Sequence, residues 1–325
     1  MPTIGRLPAA KCWLWATVRQ VETWLAVGVC VDAVQSGYSF YRRVVSQLMS
    51  GEEQLPSLPT LTLEIRRALA APEVSLSALA GLIGRDPALS ALLMKTASSA
   101  LVRRKLPPKT LLDVLRVVGI AQVDRVTMIH SIKSLFTLHS PAHKQLFMAA
   151  WERLLLKASL CAFLARLVGH TQPEHALLAS LLSEVGTLAV LSAFKDNPVI
   201  PSQALYHSLC REYASSLGVI LLKQWAVDEE YIHIARNAGN WTLQQGHSVE
   251  LIDLVNLSLF HGNKRLDPGA ELPPLASLAA YKKLLPPLDA IGDNGELILI
   301  ASHRDEIRAI ADTLRGGASG GPGQR

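Results

Sequence analysis

The side chains that most often carry catalysis occur in this sequence, but their spacing matches none of the common catalytic patterns. The chain has no G-x-S-x-G turn, no phosphate-binding P-loop and no G-x-G-x-x-G fingerprint. His139 and His143 are four residues apart, but Pro141 lies between them and disfavours a shared helical face. No nucleophile, metal site or cofactor is therefore predicted, and the histidines, His170 and His175 included, are expected on the surface or in loops. Four widely separated cysteines, without a CxxC pair, are expected to be reduced thiols: Cys12, Cys30, Cys161 and Cys210.

One basic cluster could bind an anionic partner. Arg103, Arg104 and Lys105 are followed, after two prolines, by Lys109, in a segment that is expected to join two helices. Recognition residues are common in such loops, and these side chains could contact a phosphate, a nucleotide second messenger or an acidic protein surface. An ordinary solvated loop is the alternative. Two further basic pairs are expected to be solvated helix faces: Arg66 with Arg67, and Lys282 with Lys283.

The composition favours a helical globular protein. Apolar residues make up 49% of the 325 residues and charged residues 18%, whereas a disordered chain shows the opposite balance. Aromatic residues are only 6%, so the core is mainly aliphatic, which suits helices packed on helices. The net charge of +5 permits contact with nucleic acid but does not require it.

The sequence also predicts a cytoplasmic protein without a membrane span. Residues 24–34 form an apolar stretch that is much shorter than the ~20 residues needed to cross a bilayer. The stretch begins late for a signal peptide, and no clear cleavage pattern follows it. A cytoplasmic location is therefore expected.

Local signals divide the rest of the chain into helices. Ser75, Asp86 and Thr110 are placed to begin helices, Asp113 completes a capping box with Thr110, and Gly119 is placed to end a helix. Only 297–300 resembles a strand, so the predicted fold class is all-α. The predicted domains are a helical domain at 55–262, a C-terminal helical extension at 263–315 and a disordered glycine-rich tail at 316–325. Residues 1–54 form an N-terminal extension that could be an amphipathic helix or a partner-binding arm, or could include translated sequence upstream of the true start.

Five short motifs occur in a fixed order along the helical domain. They lie at 55–59, 86–100, 111–119, 176–186 and 218–225. In this order they resemble the HDOD domain, a helical relative of the HD-type phosphohydrolases that is found in bacterial signalling proteins. Ser98 departs from the pattern, which commonly has asparagine there. The resemblance implies a multi-helix HD-like bundle, with two helical subdomains and a role in signal transduction.

The resemblance also implies that the metal site of HD-type enzymes is degenerate in this chain. Those enzymes bind a divalent metal through a histidine, an adjacent His-Asp pair and a later aspartate, and the metal generates hydroxide. Ser183 and Glu184 occupy the positions of the His-Asp pair. A serine hydroxyl is a poor ligand, and one glutamate cannot hold such a metal alone. The remaining positions that match the metal site also lack the expected ligands: 152–154, 213–214 and 237–239.

These observations predict a non-catalytic regulatory module that acts by binding. Signalling proteins are the expected partners, and a nucleotide-like ligand is a further candidate. A residual metal-dependent phosphohydrolase or phosphodiesterase that uses other ligands is one alternative. A nucleic-acid-binding regulator is another, but no helix-turn-helix pattern supports it. Glu184 could instead cap or pair within the helix bundle.

Overall fold

Helices form nearly all of the regular structure in the part of the chain that the computed structural model describes. The described residues are 39, 43, 46–47, 49–51, 55–98, 108, 110–137, 141–194, 200–267 and 269–315. The chain divides into two units, Met1–Glu53 and Gln54–Arg325. In the first unit, the described residues 39, 43, 46, 47, 49 and 50 are helical.

Five helices in the first half of the second unit enclose one apolar core. They are α1 (Thr60–Leu69), α2 (Leu76–Gly84), α3 (Pro87–Ser98), α4 (Leu111–Val118) and α5 (Ile120–Thr137). Each contributes at least one fully buried aliphatic side chain: Ile65, Leu79, Leu93, Val114 and Val123. Within a helix the buried residues recur at helical spacing, as Leu89, Leu93 and Ala97 do in α3, which gives the helix one apolar side to bury.

Polar caps fix the ends of these helices, as the sequence predicts. The Ser75 hydroxyl accepts a hydrogen bond from the backbone amide three residues later at 3.3 Å. One carboxylate oxygen of Asp86 accepts two amide hydrogen bonds in the first turn of α3, at 2.9 and 3.0 Å. Thr110 and Asp113 form the predicted capping box. Gly119 ends α4 with a φ of 83°, a left-handed conformation that glycine adopts without steric cost.

The second half of the unit is built around one long central helix. The remaining helices are α6 (Pro141–Val168), α7 (Pro173–Ser183), α8 (Gly186–Ser192), α9 (Gln203–Gln224), α10 (Glu229–Asn237), α11 (Leu251–Leu266), α12 (Ile298–Ser302) and α13 (Arg304–Arg315). Helices α7, α11 and α13 pack against α6, and α5 packs against both α6 and α7. The all-α fold class predicted from the sequence is confirmed.

Helix α7 is a deeply buried element of the unit. Every residue from Ala176 to Ser183 is buried. The segment Pro173–Ser192 is long and apolar enough to cross a membrane, but 78% of it is buried within the fold. The apolar side chains of this segment already have packing partners within the fold, as those of a core helix do.

Helices α8 and α9 approach each other more closely than side chains allow. A Cβ atom added to Gly186 would lie 1.8 Å from the carbonyl oxygen of Ala214 and 2.6 Å from the amide nitrogen of Gly218. Only a residue without a side chain fits this contact. The contact fixes the start of α8, and with it the turn that carries Glu184.

The C-terminal part of the chain returns to the central helix. Helix α11 continues through residues 262 and 263, where the predicted domain and extension meet. The strand-like prediction at 297–300 is wrong, because only Leu297 forms a β-bridge, with Ile291, and α12 begins at the next residue. On α13, Arg315 binds Glu152 of α6 at 2.9 Å.

Two basic residues that the sequence analysis places on solvated helix faces are in fact structural. Arg66 donates a hydrogen bond to the carbonyl oxygen of Trp225 at 2.6 Å and so links α1 to the end of α9. Lys283 forms an ion pair with Asp253 at 2.7 Å, and the two side chains are only 8% and 3% exposed. The hydrogen-bond partner of Arg66 is 159 residues away in the sequence, and the partner of Lys283 is 30 residues away.

The burial of histidine and tryptophan side chains shows which of them belong to the core. His143 and His261 are buried, so a general surface or loop location for the histidines is wrong. Trp151 and Trp225 are also buried and are part of the core. Trp241 is half-buried and packs edge-to-face on Phe260.

Candidate functional site

The two residues at the predicted His-Asp position lie where α7 ends. Ser183 is buried, and its hydroxyl donates a hydrogen bond to the carbonyl oxygen of Ser180 at 2.8 Å, within its own helix. Glu184 is the residue after the helix, and its backbone carbonyl accepts a hydrogen bond from the Thr187 hydroxyl at 2.8 Å. The serine is therefore engaged with its own backbone, and only the glutamate carboxylate is available for other contacts.

That carboxylate binds a lysine. Lys157 Nζ, on α6, lies 2.7 Å from Glu184 Oε1, and the two side chains are 6% and 22% exposed. An ammonium group is a point charge with three hydrogen-bond donors and no acceptor. Lys157 thus supplies a positive charge from within the chain, beside the carboxylate that the sequence analysis assigns to the aspartate position of the His-Asp pair.

Helix α11 makes room for this lysine. A Cβ atom added to Gly262 would lie 2.4 Å from Cγ of Lys157. The alkyl stem of the lysine therefore runs across the surface of α11 at the one position where that helix lacks a side chain. Gly262 of α11 therefore leaves the space that the Lys157 side chain occupies in the ion pair with Glu184.

The ion pair lies in the wall of a cavity of about 680 Å³. The cavity is lined by the positions that the sequence analysis identifies as degenerate metal ligands: Arg153, Ser183, Glu184, Ala214, Ala238 and Gly239. Three helices and two inter-helix segments contribute these residues. The fold therefore brings the predicted positions together, although they are spread over 87 residues of sequence, from 153 to 239.

Basic residues surround one histidine of this cavity. Burial lowers the pKa of His207, and the positive charges of Arg153, Arg211 and Lys157 lower it further, whereas Asp267 opposes the shift. Among the described residues, no carboxylate forms an ion pair with Arg211. The cavity thus has basic groups that are not neutralised by a bonded partner.

The cavity also contains a thiol and a phenol, but neither is activated. Burial raises the pKa of Cys210 to about 12, and burial raises the pKa of Tyr206 well above its ordinary value. A thiol acts as a nucleophile in its thiolate form, so Cys210 is not an activated nucleophile at neutral pH.

The sequence profile of the HDOD domain matches residues 55–240, which is more than half of the 325-residue chain. The chain belongs to the HDOD family. The matched region contains α1–α10, and therefore most of the cavity wall, including Lys157 and Glu184. No curated protein matches the sequence.

Solved structures share the HDOD fold at low sequence identity. A proposed metal-dependent phosphohydrolase from Shewanella amazonensis SB2B is 21% identical with a TM-score of 0.67, covering 85% of this chain and 98% of its own. An HDOD domain protein of unknown function from Geobacter sulfurreducens is 19% identical with a TM-score of 0.56, covering 84% and 97%. A second proposed phosphohydrolase from Shewanella amazonensis SB2B is 16% identical with a TM-score of 0.52, covering 83% and 97%. At these identities the likeness establishes the fold alone.

The cavity of this HDOD domain does not fit a divalent metal. The one carboxylate at the His-Asp position, Glu184, is bound to an ammonium group, and the neighbouring Ser183 hydroxyl is bonded to its own helix. Within the described part of the chain, no three or more His, Cys, Asp or Glu side chains are grouped so that they could hold a metal ion. A cation at the His-Asp position would have to displace Lys157, and Glu184 is the only carboxylate at that position.

The basic cluster at Arg103, Arg104, Lys105 and Lys109 lies outside the described residues. The sequence analysis, in turn, missed Lys157, Arg211 and His207 of the HDOD cavity. One signal was available for Lys157, since it is the only charged residue between 154 and 165. A lone charge in an apolar helical segment indicates a buried pair.

Proposed function

We propose that this HDOD domain is a non-catalytic regulatory module of signal transduction that acts by binding. The observation that carries the proposal is the ion pair of Lys157 with Glu184, at 2.7 Å in the wall of the cavity. A hydrolase of the HD type needs a metal at this place to generate hydroxide. An ammonium group has no vacant coordination position and cannot lower the pKa of a bound water in that way.

The residues that line the cavity support a nucleotide-like molecule as the proposed ligand. Arg153 and Arg211 carry guanidinium groups, which bind phosphate oxygens through two parallel hydrogen bonds. Asp267 and Glu271 also line the cavity and can accept hydrogen bonds from hydroxyl or amino groups. This mixed lining suits a ligand that combines phosphate with such donors, and its volume of about 680 Å³ lies within the range of small-molecule sites.

Signalling proteins are the proposed macromolecular partners. Membership of the HDOD family supports this proposal, and so does a cavity in which, among the described residues, the His, Cys, Asp and Glu side chains are not grouped as a metal site. A module that does not turn over a substrate can signal only by binding. A ligand would change the affinity for a partner protein by binding one conformation of the module more tightly than another.

The first experiment measures metal content and hydrolysis on one sample. The purified full-length protein is analysed for manganese, iron, nickel, zinc and magnesium, and the same sample is assayed with cyclic and linear dinucleotide phosphodiester substrates. The proposal predicts metal far below one ion per chain and no turnover after addition of each metal. A stoichiometric metal together with turnover would contradict it and would favour a phosphohydrolase.

A second experiment tests ligand binding in the cavity. Thermal unfolding is followed with and without a panel of nucleotides, because a ligand that binds only the folded state raises the unfolding temperature. A stabilising nucleotide should lose its effect in Arg211→Gln but keep it in Arg308→Gln, which changes an exposed arginine of α13 outside the cavity lining. Equal loss in both variants would indicate nonspecific charge effects and would remove the support for a nucleotide site in this cavity.

A further inference from the structure

A second cleft of about 680 Å³ lies where the first turns of four helices meet. Its lining includes Ala121, the second residue of α5, and Gln172, the residue before α7. It also includes Glu230, the second residue of α10, and Leu251, the first residue of α11. The first amides of a helix lack partners within that helix, and the helix dipole is positive at this end. Four such ends line this cleft and favour a negative charge there, and two glutamates, Glu230 and Glu250, line it as well.

A basic side chain at this cleft has only neutral partners. Arg125, on α5, donates a hydrogen bond to Oε1 of Gln122 at 3.0 Å and another to Oε1 of Gln172. Among the described residues, no carboxylate forms an ion pair with Arg125. A guanidinium group forms stronger hydrogen bonds with an anionic acceptor than with an amide. Its positive charge is therefore available to an anionic ligand.

The two acidic residues that line the cleft are already engaged. Glu230 lies 3.2 Å from the Nε2 atom of His175. Glu250 accepts a backbone hydrogen bond in the first turn of α11, where it takes part in a capping box. Neither carboxylate pairs with Arg125. His170 also lines the cleft and is exposed, so its imidazole can reach a ligand there.

We propose that this cleft binds the phosphate group of a small phosphorylated molecule, with Arg125 as the principal cation and His170 beside it. Phosphate suits the site because its tetrahedral oxygens can accept hydrogen bonds from a guanidinium fork and from an imidazole together. The volume of the cleft exceeds that of inorganic phosphate and leaves room for an organic part. This site is separate from the cavity of Lys157 and does not depend on the function proposed for that cavity.

Isothermal titration calorimetry on the full-length protein tests this proposal, with inorganic phosphate and adenosine monophosphate as probes. We expect saturable binding at one site, weakened about tenfold or more in Arg125→Gln, because a charge-assisted hydrogen bond is lost. Ala121→Asp places a carboxylate in the cleft and should abolish binding. Ala121 is exposed in the first turn of α5, where an acidic residue favours the helix, so this variant is expected to fold.

The matched control is Arg116→Gln, which removes an exposed arginine of α4 and should leave binding unchanged. Tighter binding of adenosine monophosphate than of phosphate would show that the cleft also contacts the organic part of the ligand. Equal binding of the two probes would show that the cleft contacts only the phosphate group. Absence of saturable binding, or equal weakening by Arg116→Gln, would overturn the proposal. Loss of binding in Arg211→Gln but not in Arg125→Gln would also overturn it, because the ligand would then occupy the cavity of Lys157 and leave the proposed function standing.

Discussion

Replacement of Lys157 by methionine tests whether the ion pair of the cavity is structural. Methionine retains most of the alkyl volume that packs beside Gly262, so the main loss is the ammonium group. In Lys157→Met, the Oε1 atom of Glu184 loses its partner at 2.7 Å, and its Oε2 atom has no hydrogen-bond partner even in the native protein. The variant therefore leaves a largely buried carboxylate without a counter-charge.

The expected magnitude follows from the burial of the pair. Removal of one partner of a fully buried ion pair costs about 3–5 kcal/mol of unfolding free energy. The Glu184 side chain is 22% exposed, and water relieves part of that cost, so we expect a loss of about 2–3 kcal/mol. Replacement of both partners, in Lys157→Met with Glu184→Met, should restore stability to within about 1 kcal/mol of the native protein, because no unpaired charge remains.

Urea unfolding of the native protein, the two single variants and the double variant gives the coupling energy of the pair. Arg308→Met is the matched control, since Arg308 pairs with Asp305 at 3.7 Å but is 71% exposed. This control should show no measurable change. The reasoning fails if Lys157→Met is as stable as the native protein, or if the single changes add up in the double variant without coupling.

Two further predictions concern other parts of the unit. The imidazole of His261, 3.9 Å away, and the guanidinium of Arg265, 3.0 Å away, lower the pKa of Glu296 from 4.5 to about 2. The stabilisation from this ionised carboxylate is complete above pH 4.5 and is lost as the pH falls towards 2. Glu296→Gln should therefore lower the free energy of unfolding at pH 7. In urea unfolding, the free energy of the variant should also change less between pH 4.5 and pH 2 than that of the native protein. Gly186→Ala should destabilise the protein by about 3 kcal/mol or more, because its Cβ would clash with backbone atoms. Gly81→Ala, which meets no atom within 4 Å, should instead stabilise α2 by about 0.5–1 kcal/mol in the same thermal or urea assay, and similar destabilisation of both glycine variants would contradict the close contact of α8 with α9.

The local features of the fold could be predicted from the sequence because they depend on residues that are close together in the chain. Ser75, Asp86 and Thr110 cap helices three or fewer residues away, and Gly119 ends a helix through its own backbone conformation. The order of the helical motifs was sufficient to indicate the HDOD family. The same order assigned Ser183 and Glu184 to the His-Asp position of the family, and the fold places both in the wall of the cavity.

The pairing of charged side chains could not be predicted, because it depends on how the helices are arranged. Arg66 binds a carbonyl group 159 residues away, and Lys283 binds a carboxylate 30 residues away. Both basic residues look like ordinary surface residues in the sequence. The cleft of Arg125 could not be predicted for the same reason, since it is formed by four helix ends that are distant in the chain.

The lysine in the cavity has a consequence for how this chain could change over evolutionary time. Reintroduction of histidine and aspartate at positions 183 and 184 would still leave an ammonium group on the same carboxylate position, held by its stem against Gly262. A return to metal binding would also require a change at Lys157 and ligands at the other positions that lack them, and an intermediate that keeps only one member of the ion pair would carry an uncompensated charge in a largely buried place. Lys157, Glu184 and Gly262 are therefore expected to change as a linked group rather than one at a time.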